Sequence, residues 1–312
     1  MRLFAYYVSL FLALSVLYAC NQSSRVIYDH HVHIFSPSLL NELKKNPLYD
    51  RQLVYSDNFY SDIDTIYHNI RAKRFCIIGS AYAYPKQISD SELRQLVINE
   101  NNFISLSAKQ YEQNTSVFYG IDPLWSFAME ELKRCHKDLY FYGLKLHLRA
   151  SNIQITDTTH QNKLKDIFQY TGAHDIPVLI HLPKSPNEEI ELLFNTLLSS
   201  KFHHTIILAH MGGQGLIDEE TVDIINHARS ISTQSNLNIY FDLSGIVHPE
   251  RKLESEIPDH RLVELIKKFE TDKLLYGSDY PMYNSVEYIE TLKTRLSLSD
   301  DLVEEILTNT IE

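Results

Sequence analysis

Val26-Ile27-Tyr28-Asp29-His30-His31-Val32-His33-Ile34-Phe35 sets three imidazoles and a carboxylate into an apolar, β-branched frame. Side chains alternate faces along a strand, so Asp29, His31 and His33 are predicted on one face, with Tyr28, His30 and Val32 on the other. Two imidazoles on one face suit two ligands of one metal ion. Alone, a His-x-His pair says little. Four further apolar runs, however, reach their C-terminal ends at Lys145, His181, His210 and Asp279, each able to bind or support a metal. That coincidence ties the fold to the site.

The runs recur down the chain. Residues 74–79, 116–121, 141–147, 177–181, 205–210, 238–243 and 273–278 each read as a short strand, apolar nearly throughout. Helical patterns fall between them at 89–101, 125–138, 161–174, 188–199, 219–233 and 259–270, with two more at 285–296 and 301–312. Residues 36–73 read as a long polar loop followed by a helix over 62–71. Strands apolar on both faces and alternating with helices imply a parallel sheet, and eight such units fit a (β/α)8 barrel spanning residues 25–312 as one domain. An open doubly wound sheet is the alternative. It lacks a Gly-x-Gly-x-x-Gly fingerprint after the first strand.

Composition narrows the partners. A formal charge of −11 and no basic cluster exclude nucleic acid, whose binding rests on Lys and Arg neutralising phosphates. A small molecule is the expected partner, and no pattern sets the oligomeric state. Residues 1–19 form a basic start and an uncharged apolar run ending at Leu17-Tyr18-Ala19-Cys20, which resembles a bacterial lipoprotein signal peptide with Cys20 as the lipidated first residue. The implied location is a membrane surface outside the cytoplasm, reached through a lipid anchor. A secretory signal, with a secreted or periplasmic product, and a single membrane anchor are the alternatives. Cys76 and Cys135, the other two of three cysteines, make no disulfide framework.

In a (β/α)8 barrel the reactive rim lies at the C-terminal ends of the strands. There the sequence places His31 and His33, Lys145 and His147, His181, His210 and Asp279. Asp29-His30-His31-Val32-His33, Gly143-Leu144-Lys145-Leu146-His147, Ile180-His181, Ala209-His210-Met211-Gly212-Gly213 and Gly277-Ser278-Asp279-Tyr280-Pro281 together resemble the amidohydrolase superfamily, most closely its amidohydrolase-related (amidohydrolase 2) branch of metal-dependent barrel enzymes. The resemblance covers the chain after the signal segment.

That resemblance implies that His31, His33 and Asp279 hold a divalent metal, and that His181 and His210 complete the site or hold a second ion. Asp279 is then also the general base, taking a proton from water acidified by the ion. Lys145 decides between one ion and two: carbamylated by carbon dioxide it would bridge two, whereas a free ammonium has no lone pair to offer. Zinc suits the donors, and manganese, iron, cobalt or nickel would fit similar ones. Arg149 and His147 are candidates for gripping a substrate carboxylate. Asp242 and Ser244 end the seventh strand and are expected to face the mouth, although helix capping explains them equally well. Tyr280 reads as packing, and His203, His204, His227 and His248 as surface residues. The expected function is a metal-dependent hydrolase using activated water on a small amide, lactone or ester. The alternatives are a metal-dependent decarboxylase built on the same site and a non-catalytic metal-binding surface lipoprotein.

Overall fold

The computed structural model describes residues 26–45, 61–183, 187–215, 217–235, 237–248 and 256–311. The expected signal segment, residues 1–19, and Cys20 lie outside the described residues. Within them, no helix is long and apolar enough to cross a membrane.

Eight parallel strands follow one another in chain order: β1 (Tyr28–His33), β2 (Arg74–Ile78), β3 (Thr115–Gly120), β4 (Gly143–His147), β5 (Val178–His181), β6 (Thr205–Leu208), β7 (Asn238–Asp242) and β8 (Leu274–Leu275). β8 is shorter than the predicted 273–278, yet the chain beyond it stays paired with β1. The His30 amide donates to the Tyr276 carbonyl at 2.8 Å and the His33 amide to Tyr280 at 2.7 Å, and Val32 bridges Tyr280 in parallel. The eight strands thus form a nearly closed barrel, the (β/α)8 architecture that the alternation implies.

Around it lie α1 (Pro37–Lys44), α2 (Ile63–Asn69), α3 (Asp90–Lys109), α4 (Ala128–Asp138), α5 (Thr158–Ala173), α6 (Asn187–Ser199), α7 (Glu219–Gln234), α8 (Asp259–Lys267), α9 (Ser285–Thr294) and α10 (Asp300–Thr308). Helix α1 falls where a polar loop was predicted. Ser36 caps it by accepting the Leu39 amide, Pro37 opens it, and Leu39, Leu40 and Leu43 form its buried stripe. Helix α3 starts at the predicted cap, Ser89 accepting the Glu92 amide, but runs past residue 101 because Ile104 and Ala108 continue its buried face.

Strict alternation along β1 does not hold. Between Asp29 and Val32 the register against β2 slips, with Asp29 opposite Phe75 but Val32 opposite Ile77. An extra residue turns the following side chains over. Tyr28 consequently packs inside the barrel with Cys76, Ile78, Phe118, Leu179, Ile207, Tyr240 and Leu275. Val32, predicted to share its face, packs with Phe75, Ile77, Val117 and Tyr119. Cys76 and Cys135 are buried free thiols. At the floor, Ile311 packs against the interior cluster, and Asn309 Nδ2 donates to the carbonyls of Thr271 and Leu274 at 2.6 and 2.9 Å.

Glu100 of α3 is fully buried, its Oε1 accepting the Ser36 amide at 3.2 Å. Burial pushes its carboxyl up to about 7, against 4.5 for the ordinary group. Between those values the unfolded chain sheds its proton first, so the fold loses stability as pH rises. Glu100→Gln keeps the accepting oxygen and removes the titration. Its gain in unfolding free energy over wild type is expected to grow from near zero at about pH 4 to about 3 kcal/mol at about pH 8, measured by urea titration at both. A difference independent of pH would show that Glu100 ionises freely in the fold.

Candidate metal centre

β1, β4 and β5 deliver their histidines at one mouth of the barrel, as predicted. His210 does not end its strand: β6 stops at Leu208, and His210 and Met211 lie on the turn behind it with φ of 53° and 54°. Asp279 also follows its strand with positive φ, 57°. Left-handed backbone at three non-glycine residues is costly and is held only by surrounding contacts. It aims two of the predicted site residues inward from beyond the sheet.

Six aromatic rings form an arc around the mouth. His33 lies 5.1 Å from His31, His31 5.1 Å from His210, and His210 4.8 Å from His181, centroid to centroid. His181 stacks on His147 at 4.0 Å with planes 13° apart, and Tyr82 closes the arc 4.9 Å from His147. One tight group stands out among the described residues: His31, His33 and Asp279 each offer a ligand atom within 4.8 Å of the others. Asp279 Oδ1 is 3.6 Å from His31 Nε2 and 3.4 Å from His33 Nε2. His181 and His210 stand outside this group.

Partners assign the tautomers. His31 Nδ1 donates to Asp242 Oδ2 at 2.5 Å, with Ser244 Oγ 3.2 Å away. His33 Nδ1 donates to the Ile78 carbonyl at 3.1 Å, and His210 Nδ1 to the Ser244 carbonyl at 2.8 Å. A carbonyl or carboxylate only accepts, so in neutral imidazole the lone pair is left on Nε2. His147 is the reverse. Its Nδ1 accepts the Ala150 amide at 3.2 Å, so Nε2 carries the proton and is a donor. His181 Nε2 meets Gln214 Oε1 at 3.3 Å, and that oxygen also accepts from Arg149 Nη1 at 2.9 Å.

The electrostatics follow from burial. Burial, only partly opposed by Asp242, draws His31 down to about 4 and keeps it neutral. Burial alone would raise Asp242, but His31, His210 and a hydrogen bond from the Ser244 side chain hold it ionised, below the usual carboxylate range. Against the same burial effect, His33, His31 and His210 pull Asp279 down to about 2. Burial lowers the Lys145 ammonium to about 8, opposed by Asp242 and Asp279. Part of this amine is therefore unprotonated near neutral pH, the form that reacts with carbon dioxide.

Asp242 is thus no helix cap but the partner that fixes the His31 ring. Asp29 supports the same residue through the backbone, its Oδ1 accepting the His31 amide at 3.1 Å and the Ser278 amide at 2.9 Å. A strand-end carboxylate was the only sequence signal for Asp242, and nothing marked Ser244 or Gln214 as partners of ring nitrogens. Arg149 is exposed at the rim and His203 is exposed as expected, while His204, His227 and His248 are half-buried.

The amidohydrolase family model matches residues 107–312. No curated protein matches the sequence. Among solved structures, a dihydroxybenzoic acid decarboxylase from Polaromonas sp. JS666, with bound manganese and the inhibitor 2-nitroresorcinol, is 16% identical, with 91% of this chain and 94% of that one covered and a TM-score of 0.59. A Pseudomonas putida protein assigned as a 2-pyrone-4,6-dicarboxylic acid hydrolase is 15% identical, with 91% and 94% covered and a TM-score of 0.59. The 4-oxalomesaconate hydratase of Rhodopseudomonas palustris is 15% identical, with 90% and 93% covered and a TM-score of 0.56. At these identities the likeness is one of fold.

Gly277 leaves room for the His31–Asp242 pair. A Cβ there would sit 2.8 Å from Asp242 Oδ1, 2.8 Å from His31 Cβ and 3.0 Å from Ser244 Cβ. Gly277→Ala is expected to cost about 1–3 kcal/mol of unfolding free energy through overpacking, read by denaturant titration. Unchanged stability would mean that these side chains part freely.

Proposed function

The chain belongs to the amidohydrolase family, in its amidohydrolase 2 branch, and on that premise we propose that it is a divalent-metal-dependent hydrolase of a small amide, lactone or ester carrying a carboxylate. One observation carries this reading. Asp279 Oδ1 and the Nε2 atoms of His31 and His33 converge with their lone pairs facing one another, while each ring's other nitrogen is anchored. Electron-rich atoms 3.4–3.6 Å apart with no proton assigned between them call for a cation. Anchoring through the second nitrogen is the usual support of a metal-binding histidine.

An ion held by His31, His33 and Asp279 would acidify a water molecule and polarise the bond to be broken. The chain supplies the rest. Asp279, kept ionised, accepts the proton of the attacking water. That proton goes on to the leaving group, and His210, its Nδ1 fixed on the Ser244 carbonyl, can relay it by taking it up on the Nε2 lone pair and handing it over. Arg149 grips the substrate carboxylate through its guanidinium, and His147 adds the donor on its Nε2. With Lys145 unmodified we propose one ion per chain. Two imidazoles and a carboxylate suit zinc or manganese, and manganese is the ion in the Polaromonas decarboxylase.

Decarboxylation is the second reading, favoured by that same neighbour and by a rim that offers two donors to a carboxylate. The apolar run before Cys20 supports a membrane-tethered enzyme outside the cytoplasm.

Wild-type protein is expected to bind manganese in titration calorimetry. His33→Ala should abolish that binding, and Asp242→Asn should weaken it about 10–100-fold by loosening the His31 ring. Undiminished binding by His33→Ala would remove the metal centre. For the reaction, the manganese-loaded protein is assayed on lactones, cyclic amides, N-acyl compounds and aromatic acids in 18O-labelled water. Label in the organic product supports hydrolysis, release of carbon dioxide with an unlabelled organic product supports decarboxylation, and no turnover of any compound counts against both. Asp279→Asn should lose the turnover.

A further inference from the structure

Gln214 directly follows the Met211-Gly212-Gly213 turn, and no motif marks it. Its carboxamide is fixed from one side. The Leu182 carbonyl, which can only accept, takes the amide nitrogen at 2.5 Å, so Oε1 is the atom left for other partners. That oxygen receives two donors, Arg149 Nη1 at 2.9 Å and His181 Nε2 at 3.3 Å. One side chain therefore joins the end of β5, the loop after β4 and the turn after β6. It also ties a candidate ligand to the candidate carboxylate grip. His181 Nε2 is taken by this contact, and His31, His33 and Asp279 converge without it.

We propose that Gln214 is a latch between the metal centre and Arg149. In the ion-free chain it holds His181 by Nε2. With a divalent ion bound, the ring would carry its proton on Nδ1 instead of Nε2, offering the Nε2 lone pair to the centre and leaving the Gln214 oxygen to Arg149 alone, which steadies the guanidinium for an incoming carboxylate. The proposal rests on the metal centre described above. Gln214 is a positioning residue here, since it reaches the centre only through His181.

The latch contact competes with the ion for one nitrogen, so removing it should tighten ion binding. A purely structural glutamine would do the opposite when lost. Manganese titration calorimetry on the full chain therefore compares wild type, Gln214→Leu, His181→Ala and the double variant, with circular dichroism as the check on folding. Gln214→Leu is expected to bind manganese about fivefold more tightly, the worth of one weak hydrogen bond. In the His181→Ala background the same substitution should change nothing, because the coupling runs through that ring. Gln214→Ala replaces the leucine variant if the latter does not fold. Binding no tighter than wild type, or an equal gain without His181, overturns the latch. Wild type that binds no manganese overturns the metal centre itself, whereas wild type that binds while the latch variants show no gain overturns the latch alone.

Discussion

The site depends on closing the seam between the first strand and the chain that follows the last. His31 and Asp279 are separated by most of the sequence, and only a closed sheet makes them neighbours. Asp29 fastens the seam with one oxygen, which accepts the amides of His31 and Ser278. Two backbone bonds, from His30 to Tyr276 and from His33 to Tyr280, carry the pairing beyond the short β8. The fully buried Asp29 carboxylate thus grips the residue just before the inward-turning Asp279, so barrel closure and site assembly are one event.

Around that seam, most polar groups of the mouth have a partner that dictates their chemistry. Asp242 holds His31, the Ile78 carbonyl holds His33, and the Ser244 carbonyl holds His210. Each leaves the Nε2 lone pair as the reactive feature. His147 and His181 instead keep a proton on Nε2, which His181 directs at Gln214. Neighbouring rings of one residue type are thereby divided into members that present a lone pair and members that donate a hydrogen, by what lies behind them. Burial sharpens the division, since it keeps the His31 imidazole neutral. Strained backbone at His210, Met211 and Asp279 is the cost of this placement.

Much of the barrel was readable because its physics is local. Apolar runs of strand length, caps such as Ser89, and helical spacing of buried residues are properties of neighbours along the chain, and they located the strands to within a few residues. Helix α1 was misread because the polar composition of residues 36–73 outweighed its Ser-Pro start and leucine stripe. The register slip in β1 was hidden too, since an extra residue in a strand leaves no mark in an alternating apolar pattern.

By itself the sequence determined the (β/α)8 class and the rim side chains, because strand ends map onto one mouth whenever parallel strands alternate with helices. It also pointed to the family that the match over residues 107–312 shows. Only the tertiary structure decided which of those side chains converge, and it selected His31, His33 and Asp279. It alone assigned Asp242, Ser244 and Gln214 their partners, because a ring's orientation is set by contacts across the barrel between residues far apart in the chain. Such contacts have no spacing rule to betray them.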